Sequence, residues 1–395
     1  MYKNAGVKLQ GLRHFSSTLA RQEKEIFKRD NKIHINAGTI GSSQHGKTSL
    51  VSMLTKVLSS SHGVLAREVS DIDNSAGEQS TGSSQHPTHL ELWTDEYRYS
   101  LTDLPGRNTY FRNMFSYFSM LDLNLLIINP EEGLLQDALA MYRISKHYKI
   151  HTVPIISARP ETEAETIDLV RMELDESGVT EPCLVVENPI SGANPSQPIL
   201  QLLTEIEKTL IRPKREESKP LYFPLEQVGS IPSRGTFCAG RIESGKIKIG
   251  SQLDVFYHGQ KSRGNVKDAE IFRKKTDSLS AGDRGGVFIK LKPDIDLKRG
   301  GVLYEPGSEL TASNSWKVQL KSLQGCGNIN TKGEYVLFHS TFSDGRSTLE
   351  PCQLQEEEFT QTILSGSVQF LGRPGDTILL KSGHGYILGN LIYPA

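Results

Sequence analysis

Gly41, Gly46, Lys47 and Thr48 fit the spacing G-x-x-x-x-G-K-[ST] inside the stretch IHINAGTIGSSQHGKTSL, a pattern suited to holding a polyphosphate. The two glycines let backbone N–H groups turn toward an anion, and Ser42, Ser43, Gln44, His45 and Ser49 complete the loop. Lys47 has the reach to meet β and γ phosphates. The Thr48 hydroxyl suits Mg²⁺ at a helix N-terminus whose dipole favours negative charge. A chance Gly-rich turn would give the same letters. The apolar run before it and the helical spacing of Leu50, Leu54, Val57 and Leu58 after it argue for a strand, a phosphate loop and a helix.

A second phosphate-side element is SLTDLPG, a strand ending at Asp103 and followed by Gly106. An Asp at such a strand end binds Mg²⁺ through water, and the following Gly N–H senses the γ-phosphate. The tetrapeptide DLPG alone is weak evidence. Its place 55 residues after Thr48, on an expected strand, points to a GTPase rather than a kinase.

These groups must be positioned by alternating strands and helices. His89 to Thr94 and Tyr97 to Asp103 alternate as an antiparallel pair. Helices are expected over Phe111 to Phe118, Leu134 to Lys149, Thr166 to Leu174 and Pro198 to Leu210, with strands over Leu123 to Asn129, Val153 to Ser157 and Cys183 to Val186. The result is an α/β sheet with helices on both faces. Pro213 to Ser218 is a charged linker. Beyond it, short β runs punctuated by Gly, such as Gly240-RIESG-KIKIG and Asp283-RGGVFIKLK, replace helical periodicity. Two β-barrels of about ninety residues each are expected, joined near Pro306 to Ser313.

The 395 residues allow two or three sizeable cores. With 45 basic and 46 acidic residues the net charge is −1, so no global field recruits nucleic acid, although a local patch could. Cys183, Cys238, Cys326 and Cys352 lack metal-ligand spacing and read as reduced thiols of an intracellular protein. No run of eighteen apolar residues is present, so no membrane partner is expected. Residues 1–22 are basic (Lys3, Lys8, Arg13, Arg21) and free of acid before Glu23, and Leu12, Phe15 and Leu19 would share a helical face. That composition suits a mitochondrial transit peptide, or else a basic tail.

HINAGTIGSSQHGKTSL, TDLPGRNTYFRNM, SRGTFCAGRIESGKIKIG and AEIFRK together resemble the elongation factor Tu family, a group of translational GTPases, over about residues 31–395. The resemblance implies a P-loop GTPase domain (30–212), a linker (213–218) and two antiparallel β-barrels (219–310 and 311–395). It implies GTP or GDP with Mg²⁺, the metal held by Thr48, Asp103 and Ser84, and phosphates held by Gly41 to Ser49, Asp103 and Gly106. It also implies a monomer in the mitochondrial matrix, with aminoacyl-tRNA contacted by His89, Glu226, Glu270 and Phe272 and delivered to the ribosome.

Departures from that pattern bear on function. Arg107 stands where the family places a water-positioning His, a kind of contribution worth about 10² to 10⁴ in rate. Ser43 and Ser83 are polar where the family has an apolar gate. The guanine-reading Asn-Lys-x-Asp is absent from VPIISARPETEAE; losing its Asp would weaken guanine binding by about 3–6 kcal/mol. Glu161 could substitute, within the restriction set by Pro160. The loop backing the base is blurred as Glu187-Asn188-Pro189-Ile190-Ser191. In the aminoacyl pocket Gly229 replaces an aromatic, Ala239 a Thr and Arg284 an Asn. Phe272-Arg273-Lys274 could equally be an exposed basic patch for an RNA backbone.

Two readings follow. One is a divergent mitochondrial GTPase of the Tu type with weakened hydrolysis and guanine recognition. The other is a non-catalytic scaffold that keeps the three-part architecture to contact a ribosome, an RNA or a protein. The selenocysteine-specific factor and the GTPase subunit of sulfate adenylyltransferase are related alternatives.

Overall fold

Strands buried on both faces read as near-continuous apolar runs; Leu123–Ile128 is apolar but for Asn124, while Ile33–Ile40 is buried from Ile35 onward although it carries Asn36 and Thr39. The computed structural model describes residues 26–27, 30–72, 87–106, 111–187, 196–231, 234–331, 333–383 and 385–395. Its first unit alternates β1 (Ile33–Ile40), α1 (Lys47–His62), the short α2 (Val69–Ile72), β2 (Thr88–Trp93), β3 (Tyr97–Asp103), α3 (Phe111–Phe118), β4 (Leu123–Ile128), α4 (Gln136–His147), β5 (His151–Ala158), α5 (Ala164–Glu176), β6 (Leu184–Glu187) and α6 (Ser196–Thr209).

The sheet runs β2-β3-β1-β4-β5-β6, parallel except for β2 against β3. One core lies between the sheet and α1 and α6, and a second lies on the other face under α3, α4 and α5. The element types match the sequence expectation, and the ends shift. Thr94 leaves β2 because its hydroxyl accepts the Tyr97 N–H at 3.2 Å and its own N–H donates to Tyr97 O at 2.9 Å, which closes the turn. The helix expected from Leu134 begins at Gln136, since Leu135 is extended.

The first barrel contains β7 (Tyr222–Ile231), β8 (Gly235–Arg241), β9 (Lys246–Lys248), β10 (Gln252–Tyr257), β11 (Gln260–Ile271), β12 (Lys274–Lys275), β13 (Ser278–Ser280), β14 (Arg284–Lys292) and β15 (Val302–Tyr304). It closes as β10-β15-β7-β8-β14-β11 and back to β10, with β12 outside β11 and β9 paired to β13. The second comprises β16 (Thr311–Ser322), β17 (Ile329–Asn330), β18 (Tyr335–His339), β19 (Phe342–Leu349), β20 (Gln353–Leu354), β21 (Thr360–Gly372), β22 (Thr377–Ser382) and β23 (Gly385–Pro394). It closes as β16-β21-β19-β18-β22-β23, with β17 paired to β20.

Residues 213–218 are not a slack connection. Arg215 donates to Asp122 Oδ1 at 2.9 Å, to Asp122 Oδ2 at 2.8 Å and to His34 O at 2.7 Å. Asp122 also accepts Arg241 Nη2 at 2.9 Å, the Asn36 N–H at 2.8 Å and Asn36 Nδ2 at 3.0 Å. Burial alone would raise this carboxyl; Arg241 and Arg215 outweigh it and hold it at about 2. Sheet, connector and first barrel are thereby tied to one carboxylate. The second barrel packs on α3 and α4: Phe115 meets Phe338 and Tyr386 edge-on at 5.8 and 5.3 Å, and Arg143 donates to Gln324 O at 2.7 Å. No helix among the described residues is long and apolar enough to cross a membrane.

Candidate functional site

Where β1 ends, the chain turns through Gly41 (φ 133°), Gln44 (φ 65°) and Gly46 (φ 89°) into α1. A Cβ at Gly41 would run into the Ile127 carbonyl. Gly46 caps α1 with no side-chain hydrogen bond, so the first helical N–H groups face the loop. Lys47 is buried, and its ammonium donates to Ser42 O at 2.7 Å across the loop. The Ser42 hydroxyl is buried with no protein partner. Ser43 and Ser49 are half-buried and Gln44 is exposed.

Asp103 at the end of β3 accepts Thr48 Oγ1 at 2.7 Å on one oxygen and Thr39 Oγ1 at 2.5 Å on the other. Parallel pairing sets Thr39 directly opposite Asp103. Thr39 orients this carboxylate and was not singled out from the sequence, where β1 also carries the polar His34 and Asn36 and nothing local marks Thr39 from them. Gly106 lies against the loop, because a Cβ there would meet Lys47 Nζ and come within 2.8 Å of Gly41 O. His45 is buried, accepts the Asn129 N–H at 3.3 Å and lies 3.4 Å from Glu132, and burial lowers its pKa.

The loop after β5 is a tight turn. Thr162 Oγ1 accepts the Arg159 N–H at 3.0 Å and bonds Glu131 at 3.3 Å, and α5 begins at Ala164. Glu161 sits in this turn, exposed. Asn188 to Ser191, Ser83, Ser84, Arg107 and residues 1–22 lie outside the described residues.

His89 and Glu226 meet across the seam between sheet and first barrel, joined by Arg284. Arg284 pairs with Glu226 Oε2, donates to Thr102 Oγ1 at 3.0 Å and to His89 Nε2 at 3.3 Å, and sits 5.5 Å over the Tyr117 ring. His89 Nδ1 lies 3.1 Å from Thr102 Oγ1, consistent with a neutral ring that donates there and accepts from Arg284. Burial, then Arg284 and Arg299, lower the His89 pKa well below its ordinary value. Glu226 at 3.7 Å from Nε2 does not offset them. Arg299 bonds Ser116 and lies 5.0 Å over the same Tyr117 ring. Glu270 is buried on β11 opposite Gly286. Phe272 is half-buried in the two-residue turn to β12, where Phe272 and Arg273 both adopt positive φ (46° and 66°), at a cost of about 1–2 kcal/mol each. Arg273 is exposed, whereas Lys274 lies 3.6 Å from Glu91, so the expected basic patch is partly paired. Tyr117, Arg299, Asp122 and Arg241 went unnoticed in the sequence, because their partners lie in other units.

Comparison with known proteins agrees with this geometry. Residues 32–189 match the family model for the elongation factor Tu GTP binding domain, and residues 235–304 match that for elongation factor Tu domain 2. Among solved structures, the bacterial selenocysteine-specific elongation factor EF-Sec superposes with a TM-score of 0.72 at 19% identity, covering 91% of this chain and 58% of that one. Translation elongation factor SelB from Methanococcus maripaludis does so at 0.71 and 18% in complex with the GTP analogue GPPNHP, and at 0.70 and 19% in its apo form, each covering 93% of this chain and 80% of that one. At such identity the likeness is one of fold, and the chain spans little more than half the length of EF-Sec. With a phosphate loop and a strand-end Asp in the GTP-binding domain, followed by the first barrel as domain 2 in the order the two family models match, the chain belongs to the elongation factor Tu family.

Proposed function

We propose that this protein is a translational GTPase of the Tu type that binds GTP with Mg²⁺, carries aminoacyl-tRNA toward the ribosome and hydrolyses GTP slowly. The observation that carries the reading is the joint placement of Thr48, Asp103 and Thr39 beside Lys47. A buried Ser42 hydroxyl without protein partner and two glycines that leave no room for a Cβ fit a phosphate cradle. The paired hydroxyl and carboxylate oxygens fit a hard cation, so Thr48 and Asp103 would hold Mg²⁺. Such an ion neutralises charge developing on the phosphates. With Arg107 in place of His, no imidazole at this position orients water. The acid-free residues 1–22 support an address in the mitochondrial matrix.

A non-catalytic scaffold remains a second reading, favoured by the turn at Arg159–Thr162 and by Arg284 in the seam. Calorimetry with GTP, GDP and ATP at equal Mg²⁺ separates the two. Binding of all three, with GTP no more than about tenfold tighter than ATP because the phosphate-loop contacts are shared, and loss of all three in Lys47→Ala, is expected. Absence of nucleotide binding leaves only the scaffold.

A further inference from the structure

The outer face of the first barrel concentrates positive charge that nearby carboxylates do not match. Along β11, Lys261, Arg263, Asn265 and Lys267 are exposed, and on neighbouring β14 so are Lys290 and Lys292. Register sets Arg263 opposite Lys292 and Asn265 opposite Lys290. Lys267 is the extra residue of a bulge between Val266 and Asp268, an irregularity that re-aims a side chain and here adds a cation. Diagonal neighbours across such a pair lie about 7–8 Å apart. Lys261 with Lys292, and Lys267 with Lys290, are therefore in repulsive range.

Only Arg263 is neutralised, by Asp254 at 2.5 and 3.0 Å. Asp268 and Asp296 are committed to Arg234 and Lys298 at 2.5 and 2.6 Å, which leaves Asp294 in the turn after β14. Among the described residues the ammonium groups of Lys261, Lys267, Lys290 and Lys292 have no ion-pair or hydrogen-bond partner. Like charges side by side cost stability, and a chain of net charge −1 does not produce them by composition alone.

We propose that this face of β11 and β14 is a docking surface for the phosphate backbone of a folded RNA. From Lys261 to Lys267 the cations span roughly 20 Å at about 3.3 Å per residue. The nearest ring on this face, Phe288, is buried against Phe237 and under Arg234 and offers no face for an unpaired base to stack on, so the surface suits backbone rather than splayed bases. It runs away from the seam: Lys267, three residues along β11 from Glu270, is its near end, and Lys292, eight residues along β14 from Arg284, is about 26 Å off. The inference rests on the RNA-contacting part of the proposed function and not on the nucleotide site.

Fluorescence anisotropy of the full chain with a labelled transfer RNA transcript tests it. With four phosphate contacts, affinity falls roughly 150-fold between 50 and 200 mM salt. K261Q/K267Q/K290Q/K292Q is expected to flatten that dependence and weaken binding at 50 mM salt at least tenfold, with an unchanged or raised Tm because repulsion has been removed. If that variant does not fold, K290Q/K292Q should lose about half the salt slope. The wild-type salt slope is expected to be the same with and without added GTP, which separates this surface from the phosphate loop. Unaltered RNA binding in the lysine variants overturns the proposal, as does wild-type binding to phosphatidylserine vesicles in preference to RNA at the same salt.

Discussion

Arg284 on β14 and Glu226 on β7 form a buried ion pair, and the same guanidinium crosses to Thr102 and His89 on the other side of the seam. Removing one partner of a buried pair leaves an uncompensated charge, at about 3–5 kcal/mol. Arg284→Asn should therefore lower the urea midpoint markedly, because Glu226 Oε1 already lacks a partner. Arg284→Met with Glu226→Gln should cost less. Without Arg284 the His89 pKa should rise, which imidazole NMR would follow. Arg284→Asn also restores the residue that the family resemblance implies, so it should tighten aminoacyl-tRNA. Weaker binding would mean that Arg284 itself contacts the aminoacyl end.

Asp122 makes the join between sheet and first barrel sensitive to acid. Its folded pKa of about 2 lies below the ordinary value, so its stabilisation is complete above about pH 4 and disappears as pH falls toward 2. The amount is about 2–3 kcal/mol. Asp122→Asn should be less stable than wild type at pH 7, and the gap should narrow between pH 5 and pH 2.5 in chemical unfolding. A gap independent of pH would show that the carboxylate charge is not what the two arginines use.

Arg107→His should raise ribosome-stimulated hydrolysis in single-turnover assays, because Thr48 and Asp103 already stand together. The gain should stay well below the ~10²–10⁴ of a general-base contribution, since Ser43 and Ser83 are polar where the family resemblance implies an apolar gate. Adding Ser43→Val and Ser83→Ile should increase it further. Strong wild-type turnover that falls in Arg107→His would identify the arginine as catalytic.

Residues 1–22 fused to a fluorescent reporter should carry it to mitochondria, and Arg13→Glu with Arg21→Glu should abolish delivery. A diffuse cytosolic signal from the intact fusion would refute the address.

The phosphate loop could be read directly from letters because it is local. Gly41, Gly46, Lys47 and Thr48 act through a single turn whose conformation their own types dictate, and Asp103 marked itself by ending an alternating strand just before Gly106. Element types were equally legible, from the long buried runs of β1 and β4 to the Gly-punctuated strands beyond residue 218. What remained hidden depends on register and distance along the chain. Thr39 reaches Asp103 only because parallel pairing sets them opposite each other. Arg284 stood out as a departure from the family, yet its ties to His89 and Thr102 span 195 and 182 residues. Asp122 looks like an ordinary acidic residue before a strand until two arginines from outside the sheet converge on it. The lysines of β11 and β14 are scattered in the sequence, and antiparallel register with one bulge makes them a surface. Local patterns record backbone preference and burial, whereas charge neutralisation is settled among side chains that only the folded chain brings within a few ångströms.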